Sequence, residues 1–533
     1  MLHIPANFAD YANSQTTNMR KIFFITISAV LSIALYTSCS KHIEGRTDNI
    51  PALNPVSQDL DAGKWKPVLL SRPDSFAVAT PPLTNSGAYL ADLNEIKGYQ
   101  RNLSGDDIAK IRYWGAGGVL RWNEIIRELV AKHNLPPYQN EDGTYPIPNS
   151  LNPFNYPQFP FSNPPFAARA YAYLSTAQYD ALVACWYYKK LFNQPAPYTV
   201  DSSVNAMNGR TDLPSYPSEA GVLAGVTSEI MKLMFPTEVA FIQQKLDEQE
   251  LATIQSGTAT RTDIKAGEAL GRQIASVFTA RAKADHAGAA VGNPDQWNAL
   301  ATNTAAKGET PWYSLETPQR PPMLPLYGNV LPFLFDSLTV IQIRPGAPYS
   351  TKSNDFMQQN QAVYAQIKSP SREQNRIVQY WADGVGTYTP AGHWNAIASE
   401  DFIKQNYSEV RWARNLALLN MAEMDAAIVC WNTKYYYFNP RPSQVIPDVK
   451  TLTGVPNFPS YISGHSTFSE AAATILGHIL PANASVYEAM SEEAANSRFI
   501  SGIHTKMDCD SGMVAGKKVG NYAVLKAQHD GAE

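Results

Sequence analysis

The chain of 533 residues contains an internal repeat at a fixed offset of 245 residues. The pairs that recur without a gap are Asp180/Asp425, Cys185/Cys430, Trp186/Trp431, Lys189/Lys434, Pro214/Pro459 and Tyr216/Tyr461. About a third of the positions in 168–218 are identical to those in 413–463. Because several of these residue types are rare, such a run predicts two related structural units that arose by duplication and divergence. Further on, Ala266-Gly267 and Ala515-Gly516 match at an offset of 249, which predicts a four-residue difference between the units.

Both units have the hydrophobic pattern of helices. Apolar residues recur at three- and four-residue spacing over ten or more positions in the following stretches. These are Ala168–Lys190, Ser218–Met234, Thr237–Gln255, Asp263–Ala284, Val410–Trp431, Ser466–Leu480 and Ser511–His529. Segments rich in Pro and Asn, at 134–165, 308–326 and 344–354, predict loops. We therefore expect an all-α fold of two related helical bundles that pack against each other.

The N-terminus has the pattern of an export signal. Arg20 and Lys21 precede an apolar run that ends in Tyr-Thr-Ser-Cys at 36–39, and this run is short for a membrane-spanning helix. It predicts a signal peptide with a lipoprotein-type cleavage site, a lipid on Cys39 and a true start at Met19; the alternative is a buried N-terminal helix. We expect an exported protein that touches a bacterial membrane only through this lipid anchor and faces the periplasm or the exterior.

The predicted organisation follows from the signal and the repeat. The expected segments are a signal peptide at 1–39, a linker and arm at 40–100, a degenerate bundle at 101–290, a connecting insert at 291–370 and a catalytic bundle at 371–533. With 43 basic against 47 acidic residues the net charge is −4, so nucleic acid is not an expected partner and an anionic ligand needs a local cluster of cations. The four cysteines show neither a disulfide framework nor zinc-ligand spacing. The oligomeric state is not indicated.

A dense set of charged and small residues occurs only in the second unit. It comprises Lys434, Arg441-Pro442, Ser463-Gly464-His465, Ser497-Arg498, His504 and Asp508. Three cations would neutralise a compact trianion, and each guanidinium can donate to two oxygens. A Ser hydroxyl and a Gly N–H at the start of a helix can donate to further oxygens. One histidine can then bond to the central atom of the anion, and the other can transfer a proton.

These blocks resemble the signature of the superfamily that joins vanadium-dependent haloperoxidases with type 2 phosphatidic acid phosphatases and bacterial acid phosphatases. The one departure is Ile462, where the family usually has proline. Within the superfamily the sequence is most similar to the soluble vanadium chloroperoxidases. This likeness lies in Trp431, in the aromatic segment Phe458-Pro459-x-Tyr461, and in the upstream blocks 380–384 and 389–395.

The resemblance implies a role for each matched residue. His504 would be the axial vanadate ligand, or the nucleophile of a phosphatase, with Asp508 orienting its ring and His465 as general acid/base. The equatorial oxygens would be held by Lys434, Arg441, Arg498, Ser463 and Gly464, and Asp383 would brace one of the arginines. His393, in the upstream block, is either a hydrogen-bonded structural histidine or part of the site.

The first unit serves as an internal control. It has Ala196 in place of Arg441 and Glu219-Ala220 in place of Gly464-His465, whereas the scaffold residues and one lysine persist. The leading hypothesis is a vanadium-dependent haloperoxidase-like enzyme that oxidises halide with hydrogen peroxide. The alternatives are an acid phosphatase that cleaves a phosphoester, where phosphate is the substrate, and a non-catalytic anion-binding lipoprotein. Ser466, at a position that varies with halide preference in the family, does not identify the halide.

Overall fold

The computed structural model describes residues 50–533 apart from 56, 147–148, 150, 153 and 158–162. The predicted signal peptide and Cys39 lie outside the described residues. Every regular element in the described part is a helix, as predicted. The α-helices are α1 Gly87–Gln100, α2 Gly105–Gly115, α3 Gly118–His133, α4 Pro164–Phe192, α5 Pro197–Val200, α6 Glu219–Met234, α7 Val239–Gln255, α8 Arg261–Ala284, α9 Pro294–Ala306, α10 Ser337–Ile343, α11 Asn354–Ile367, α12 Arg372–Tyr380, α13 Thr389–Phe402, α14 Glu409–Tyr437, α15 Pro442–Val445, α16 Gly464–Ile479, α17 Ala484–Ile500 and α18 Lys506–His529.

The helices of the two units begin and end at the same offset of 245. Helices α4 to α8 correspond in order and length to α14 to α18. Their first turns are built alike, because Ser218 and Ser463 each cap a helix through the side chain. Thr260 and Thr505 each form a capping box with an aspartate three residues on. Equal lengths and equal caps define two similar bundles; their common origin by duplication stays a prediction.

The four-residue difference predicted near the C-terminus of each unit is wrong. Helices α8 and α18 also differ by 245, so Gly267 corresponds to Gly512 rather than to Gly516. A Cβ on Gly267 would overlap the carbonyl oxygen of Ser218, and a Cβ on Gly512 would overlap that of Ser463. Both glycines therefore let the last helix of a bundle approach the helix that starts at the equivalent serine.

The long helices α4 and α14 are 29 residues each, are buried over most of their length and pack against each other. One cluster of buried apolar residues extends through both bundles, so they share a hydrophobic core. Each long helix carries a buried aspartate that accepts backbone N–H bonds from a distant segment. Asp180 binds residues 68–70 in this way, and Asp425 binds residues 333–334. Burial raises the pKa of Asp180 to about 6 and that of Asp425 to about 7.

A buried ion pair closes each bundle. Arg169 Nε donates to Asp285 over 2.7 Å, and Arg414 Nε donates to Asp530 over 2.6 Å. These pairs tie the start of the long helix to the end of the last helix of the same bundle. The predicted arm and insert are more ordered than expected, since the arm contains α1 and the insert contains α9 to α11. Within the described residues, no helix is long and apolar enough to cross a membrane.

Candidate anion-binding active site

The predicted site residues meet at a cavity of about 320 Å³ in the second bundle. Five of them line it, namely Asp383, Gly464, His465, Arg498 and His504. The other four, Lys434, Arg441, Ser463 and Asp508, are buried next to residues of this wall. The helix starts explain the convergence, because Gly464 opens α16 and His504 lies in the turn just before α18. The structure thus brings together all nine residues that the sequence singled out.

His504 is held in a defined tautomer. Its Nδ1 lies 3.1 Å from Asp508 Oδ2, and its Nε2 lies 3.0 Å from Arg441 Nη1. A carboxylate only accepts and a guanidinium only donates, so Nδ1 carries the proton and Nε2 presents a lone pair. Burial and the charges of Arg441 and Lys434 lower the pKa of His504 well below its usual value. The ring is therefore neutral and offers a nitrogen ligand or nucleophile.

Asp508 is fixed more firmly than the sequence predicted. Its Oδ2 accepts from Ser460 Oγ over 2.6 Å and from the backbone N–H of Thr505 over 3.0 Å, in addition to the contact with His504. Ser460 is a site residue that the sequence did not single out. The repeat contained a signal, because a serine, Ser215, also stands at the equivalent position of the first bundle.

Lys434, Arg441 and Arg498 are buried, and none of them has a carboxylate ion-pair partner among the residues that the structure describes. Arg441 donates to the carbonyls of Phe458 and Ile503, and Arg498 Nη1 donates to the carbonyl of Trp381 over 2.8 Å. Arg441 Nη2 and Arg498 Nε are buried and have no hydrogen-bond partner. Burial lowers the pKa of Arg441 to about 9 and that of Arg498 to about 10, so both stay charged at neutral pH. Unpaired buried donors of this kind indicate that an anion belongs between them.

Lys434 faces oxygen atoms of the backbone. Its Nζ donates to the carbonyls of Pro459, Ser460 and Ile462 over 2.9, 2.8 and 2.5 Å. Burial lowers the pKa of this amine to about 7, because dipoles alone replace its hydration. The carbonyl of Ile462 also lies 3.7 Å from Cys430 Sγ, as that of Pro217 lies 3.4 Å from Cys185 Sγ. Position 462 therefore acts through its backbone, which accommodates the change from proline.

Gly464 keeps space in the cavity. A Cβ at this position would lie 3.9 Å or more from the neighbouring side chains, so helix packing does not require a glycine here. The missing side chain instead leaves space in the cavity. Ser463 Oγ accepts from the backbone N–H of Ser466 as the helix cap, which leaves its own O–H free to donate. These two residues thus provide room and donors at the N-terminus of α16.

His465 faces an aspartate rather than an open wall. Its Nε2 lies 3.3 Å from Asp383 Oδ2, but the two atoms are not aligned as a hydrogen bond. Burial and the charge of Arg498 lower the pKa of His465 to about 4, although Asp383 raises it. Asp383 does not form the predicted bond with an arginine; its second oxygen contacts His393 Nδ1 at 3.0 Å. The reason is the loop geometry, which turns this carboxylate toward the two histidines.

The remaining cysteines take no part in the site. Cys185, Cys430 and Cys509 are free and buried, and burial raises the pKa of each thiol. No group of three or more His, Cys, Asp or Glu side chains in the described ranges could hold a metal cation. The donor set at the cavity, with three cations and one neutral imidazole, suits a tetrahedral oxyanion instead.

The fold is that of the vanadium-dependent haloperoxidases. A bacterial vanadium-dependent iodoperoxidase superposes with a TM-score of 0.53 at 22% identity, over 68% of this chain and 91% of that one. A bacterial vanadium-dependent chloroperoxidase was compared in two states. Its holo form gives a TM-score of 0.45 at 12% identity, over 72% of this chain and 96% of that one. Its apo form gives 0.48 at 13% identity, over 72% and 98%.

At these identities the likeness is one of fold. No protein-family model matches the sequence, and no curated protein is detectably similar to it. The resemblance recognised in the sequence motifs is thus confirmed at the level of the fold, over 68% of this chain.

Proposed function

We propose that this protein is a vanadium-dependent haloperoxidase that oxidises halide with hydrogen peroxide. The observation that carries the proposal is the neutral His504, whose Nε2 accepts from Arg441 Nη1 and faces the charges of three buried cations. Among the described residues, none of these cations has a carboxylate ion-pair partner. Simple binding of an anion would need the cations alone. The defined tautomer of His504 and a second histidine at the cavity wall favour catalysis over storage.

Vanadate fits the donor set at the cavity. Arg441 Nη2 and Arg498 Nε are buried donors without a partner, and the side chain missing from Gly464 leaves room beside them. Oxygen atoms of vanadate would accept from Arg441, Arg498, Ser463 and the N–H of Gly464. Lys434 would stabilise the anion mainly through its charge, since its protons already point at carbonyls.

Each histidine has a distinct task in this proposal. Bound vanadate would supply a Lewis-acidic centre that activates peroxide without a change of oxidation state. His504 would bind it through Nε2, and Asp508 would keep the proton on Nδ1. His465 would hold or release a proton at Nε2, next to Asp383 Oδ2. Trp431 and Phe458, with ring centroids 5.0 Å apart, would exclude water from one side of the cavity.

The decisive experiment compares two activities in one preparation. The purified chain is reconstituted with orthovanadate and assayed for peroxide-dependent oxidation of iodide, bromide and chloride, and the apoprotein is assayed on a chromogenic phosphomonoester. We expect halide oxidation that is lost in His504→Ala and kept in His478→Ala, a histidine paired with Glu533. Phosphatase turnover inhibited by vanadate, without halide oxidation, would replace the proposal with an acid phosphatase, because phosphate has the same shape and charge.

We also propose that the chain is exported and lipid-anchored through Cys39. The support is the sequence pattern of residues 19–39 alone. Expression of the full chain with a labelled fatty acid should give a labelled membrane-bound protein, and Cys39→Ser should abolish the label. A labelled Cys39→Ser variant, or an unlabelled wild type, would contradict the anchor.

A further inference from the structure

One carboxylate at the cavity connects two histidines. Asp383 Oδ1 lies 3.0 Å from His393 Nδ1, and Asp383 Oδ2 lies 3.3 Å from His465 Nε2. All three side chains are at least four-fifths buried. Because a carboxylate only accepts hydrogen bonds, His393 Nδ1 carries a proton and donates a hydrogen bond to Asp383 Oδ1.

His393 is fixed by aromatic rings. Its ring centroid lies 4.8 Å from that of Tyr380 and 4.7 Å from that of Trp381, and Tyr388 lies at 6.1 Å on a further side. The preceding residue, Gly392, lies in a tight contact, since a Cβ there would overlap Tyr171 Oη and Tyr388 Cβ. The direction of the Nδ1–H bond is therefore set by packing and does not depend on a bound ligand.

The loop that carries Asp383 is held from the other side. Asp383 has a φ of +44°, in the left-handed region that a non-glycine residue adopts only under restraint. Asn134 supplies that restraint, because its side chain donates over 3.0 Å to the carbonyls of both Gly384 and Thr387. The backbone N–H of Gly386 donates back to the carbonyl of Asn134 over 2.8 Å. Backbone and His393 together leave the carboxylate little rotational freedom.

The cost of this arrangement argues against a purely structural histidine. Within the described part of the chain, Asp383 Oδ2 and His465 Nε2 are both buried and have no aligned hydrogen-bond partner, although they lie 3.3 Å apart. A buried polar atom in this state has lost its hydrogen bond to water without a full replacement. A scaffold selected for stability alone would turn the carboxylate so that both of its oxygens are satisfied. Instead, His393 holds one oxygen and thereby aims the other at His465.

We propose that His393 is a positioning residue that sets the orientation of Asp383 toward His465. Through Asp383 it would determine which ring nitrogen of His465 carries the proton. The inference rests on the proposed function only for the reaction in which His465 transfers a proton. His393 touches neither the cations nor His504, so it should leave anion affinity unchanged. Its effect should appear in kcat and in the environment of His465.

The test separates the hydrogen bond from the packing. His393→Asn keeps an N–H donor near the place of Nδ1, whereas His393→Phe keeps an aromatic ring without a donor. With the activity that the enzyme shows, we expect His393→Phe to lower kcat about 10- to 100-fold, as other outer-sphere partners do. KM for peroxide or phosphoester, and the Kd for orthovanadate, should stay within about threefold. His393→Asn should recover most of kcat.

A control and an activity-independent measurement complete the experiment. His133→Phe removes another histidine–carboxylate contact, with Glu238 at 2.8 Å, and should leave kcat unchanged. Ring nitrogen NMR should show His465 signals displaced in His393→Phe but near wild type in His393→Asn, even if the protein oxidises no halide. Unchanged His465 signals in His393→Phe would overturn the inference, as would equal losses of kcat in both variants.

Discussion

The two bundles contain equivalent pockets, in which equivalent lysines have different hydrogen-bond partners. The pocket of the first bundle, about 220 Å³, is lined by Lys189 and Glu219. Lys189 Nζ donates to Glu219 Oε2 over 2.8 Å, whereas Lys434 has only carbonyl acceptors. Burial lowers both pKa values, but Glu219 reverses the effect and raises the pKa of Lys189 above its usual value. The pKa of Lys434 falls to about 7. In the first pocket the carboxylate of Glu219 neutralises the charge of Lys189. Among the described residues, Lys434 has no such counter-ion, so a bound anion would have to supply the negative charge.

The contrast also separates scaffold from chemistry. Most of the residues that would touch the anion are replaced in the first bundle by small, polar or acidic residues, whereas Ser463 is kept as Ser218. The pairs are Arg441/Ala196, Gly464/Glu219, His465/Ala220, Arg498/Thr253 and His504/Ala259. Asp508 and Ser460 correspond in position to Asp263 and Ser215. Asp263 keeps the capping box with Thr260, but Ala259 stands where His504 stands in the second bundle. Asp508 is thus a helix cap first, and the second bundle uses it additionally to hold His504.

The largest expected effect concerns His504, because halide oxidation without it would remove the proposed difference between the two pockets. His504→Ala should reduce halide oxidation by about 10³-fold or more, because it removes the nitrogen ligand of the proposed vanadate. The reciprocal Ala259→His should give no activity to the first pocket, which lacks the two arginines. The measurements are steady-state rates at saturating vanadate; residual activity within tenfold of wild type would contradict the assignment.

An exchange at a single position tests the counter-ion argument. Gly464→Glu should introduce a carboxylate beside Lys434, as in the first bundle, and weaken orthovanadate binding at least about 100-fold. Calorimetric titration with orthovanadate measures this effect. Glu219→Gly should leave Lys189 buried and unpaired and lower the free energy of unfolding by about 2–4 kcal/mol, measured with urea. If Gly464→Glu bound orthovanadate as tightly as wild type, a carboxylate at this position would not compete with the anion. The equivalent Glu219 could then not be said to take the place of an anion in the first bundle.

The two capping aspartates provide a matched pair. Asp508→Asn should lower kcat about 10- to 100-fold, because an amide no longer enforces the Nδ1–H tautomer of His504. Asp263→Asn should leave kcat unchanged. Both should lower the free energy of unfolding by about 1 kcal/mol through the weakened capping box. Equal kcat values in the two variants would mean that the second bundle gains nothing from this aspartate beyond the helix cap.

The smallest expected effect concerns the buried aspartates of the long helices. Each has a folded-state pKa above its usual value, about 6 for Asp180 and about 7 for Asp425, so the folded state binds more protons than the unfolded state. Their contribution to stability is therefore present at low pH and decreases as the pH rises from about 4 to 7. Asp425→Asn should flatten the decline of the apoprotein's unfolding free energy between pH 5 and 8 more than Asp180→Asn does. An unchanged slope in Asp425→Asn would refute this assignment.

Much of the fold followed from periodicity, and its errors have physical causes. The apolar spacing located α4, α6, α8, α14 and α16 to within a few residues. The helix α17 was missed because most of its buried residues are small or polar, so its buried face shows no clear apolar stripe in the sequence. The false offset of 249 arose because Gly512, Gly516 and Gly520 are spaced by four residues, so a slip of one helical turn matches almost as well.

The site residues were predictable as a set, but their pairing was not. Residue types and spacing identified the cations and both histidines, because an anion site requires them whatever the surrounding fold. The partners of Asp383 depend on a loop with a positive φ and on Asn134, far away in sequence. Similarly, the three carbonyls around Lys434 come from a turn whose backbone directions no spacing rule specifies.

The shared core of α4 and α14 has a consequence for how the chain reaches this structure. Each long helix is buried on nearly all sides and has its main partner about 245 residues away in the chain. Contacts between such distant residues form slowly, since a long loop must close before they contribute. During synthesis α4 therefore emerges with its apolar surface uncovered until most of the chain is complete. A truncated first bundle would expose that surface permanently and should aggregate, so we expect the first bundle to fold only together with the second.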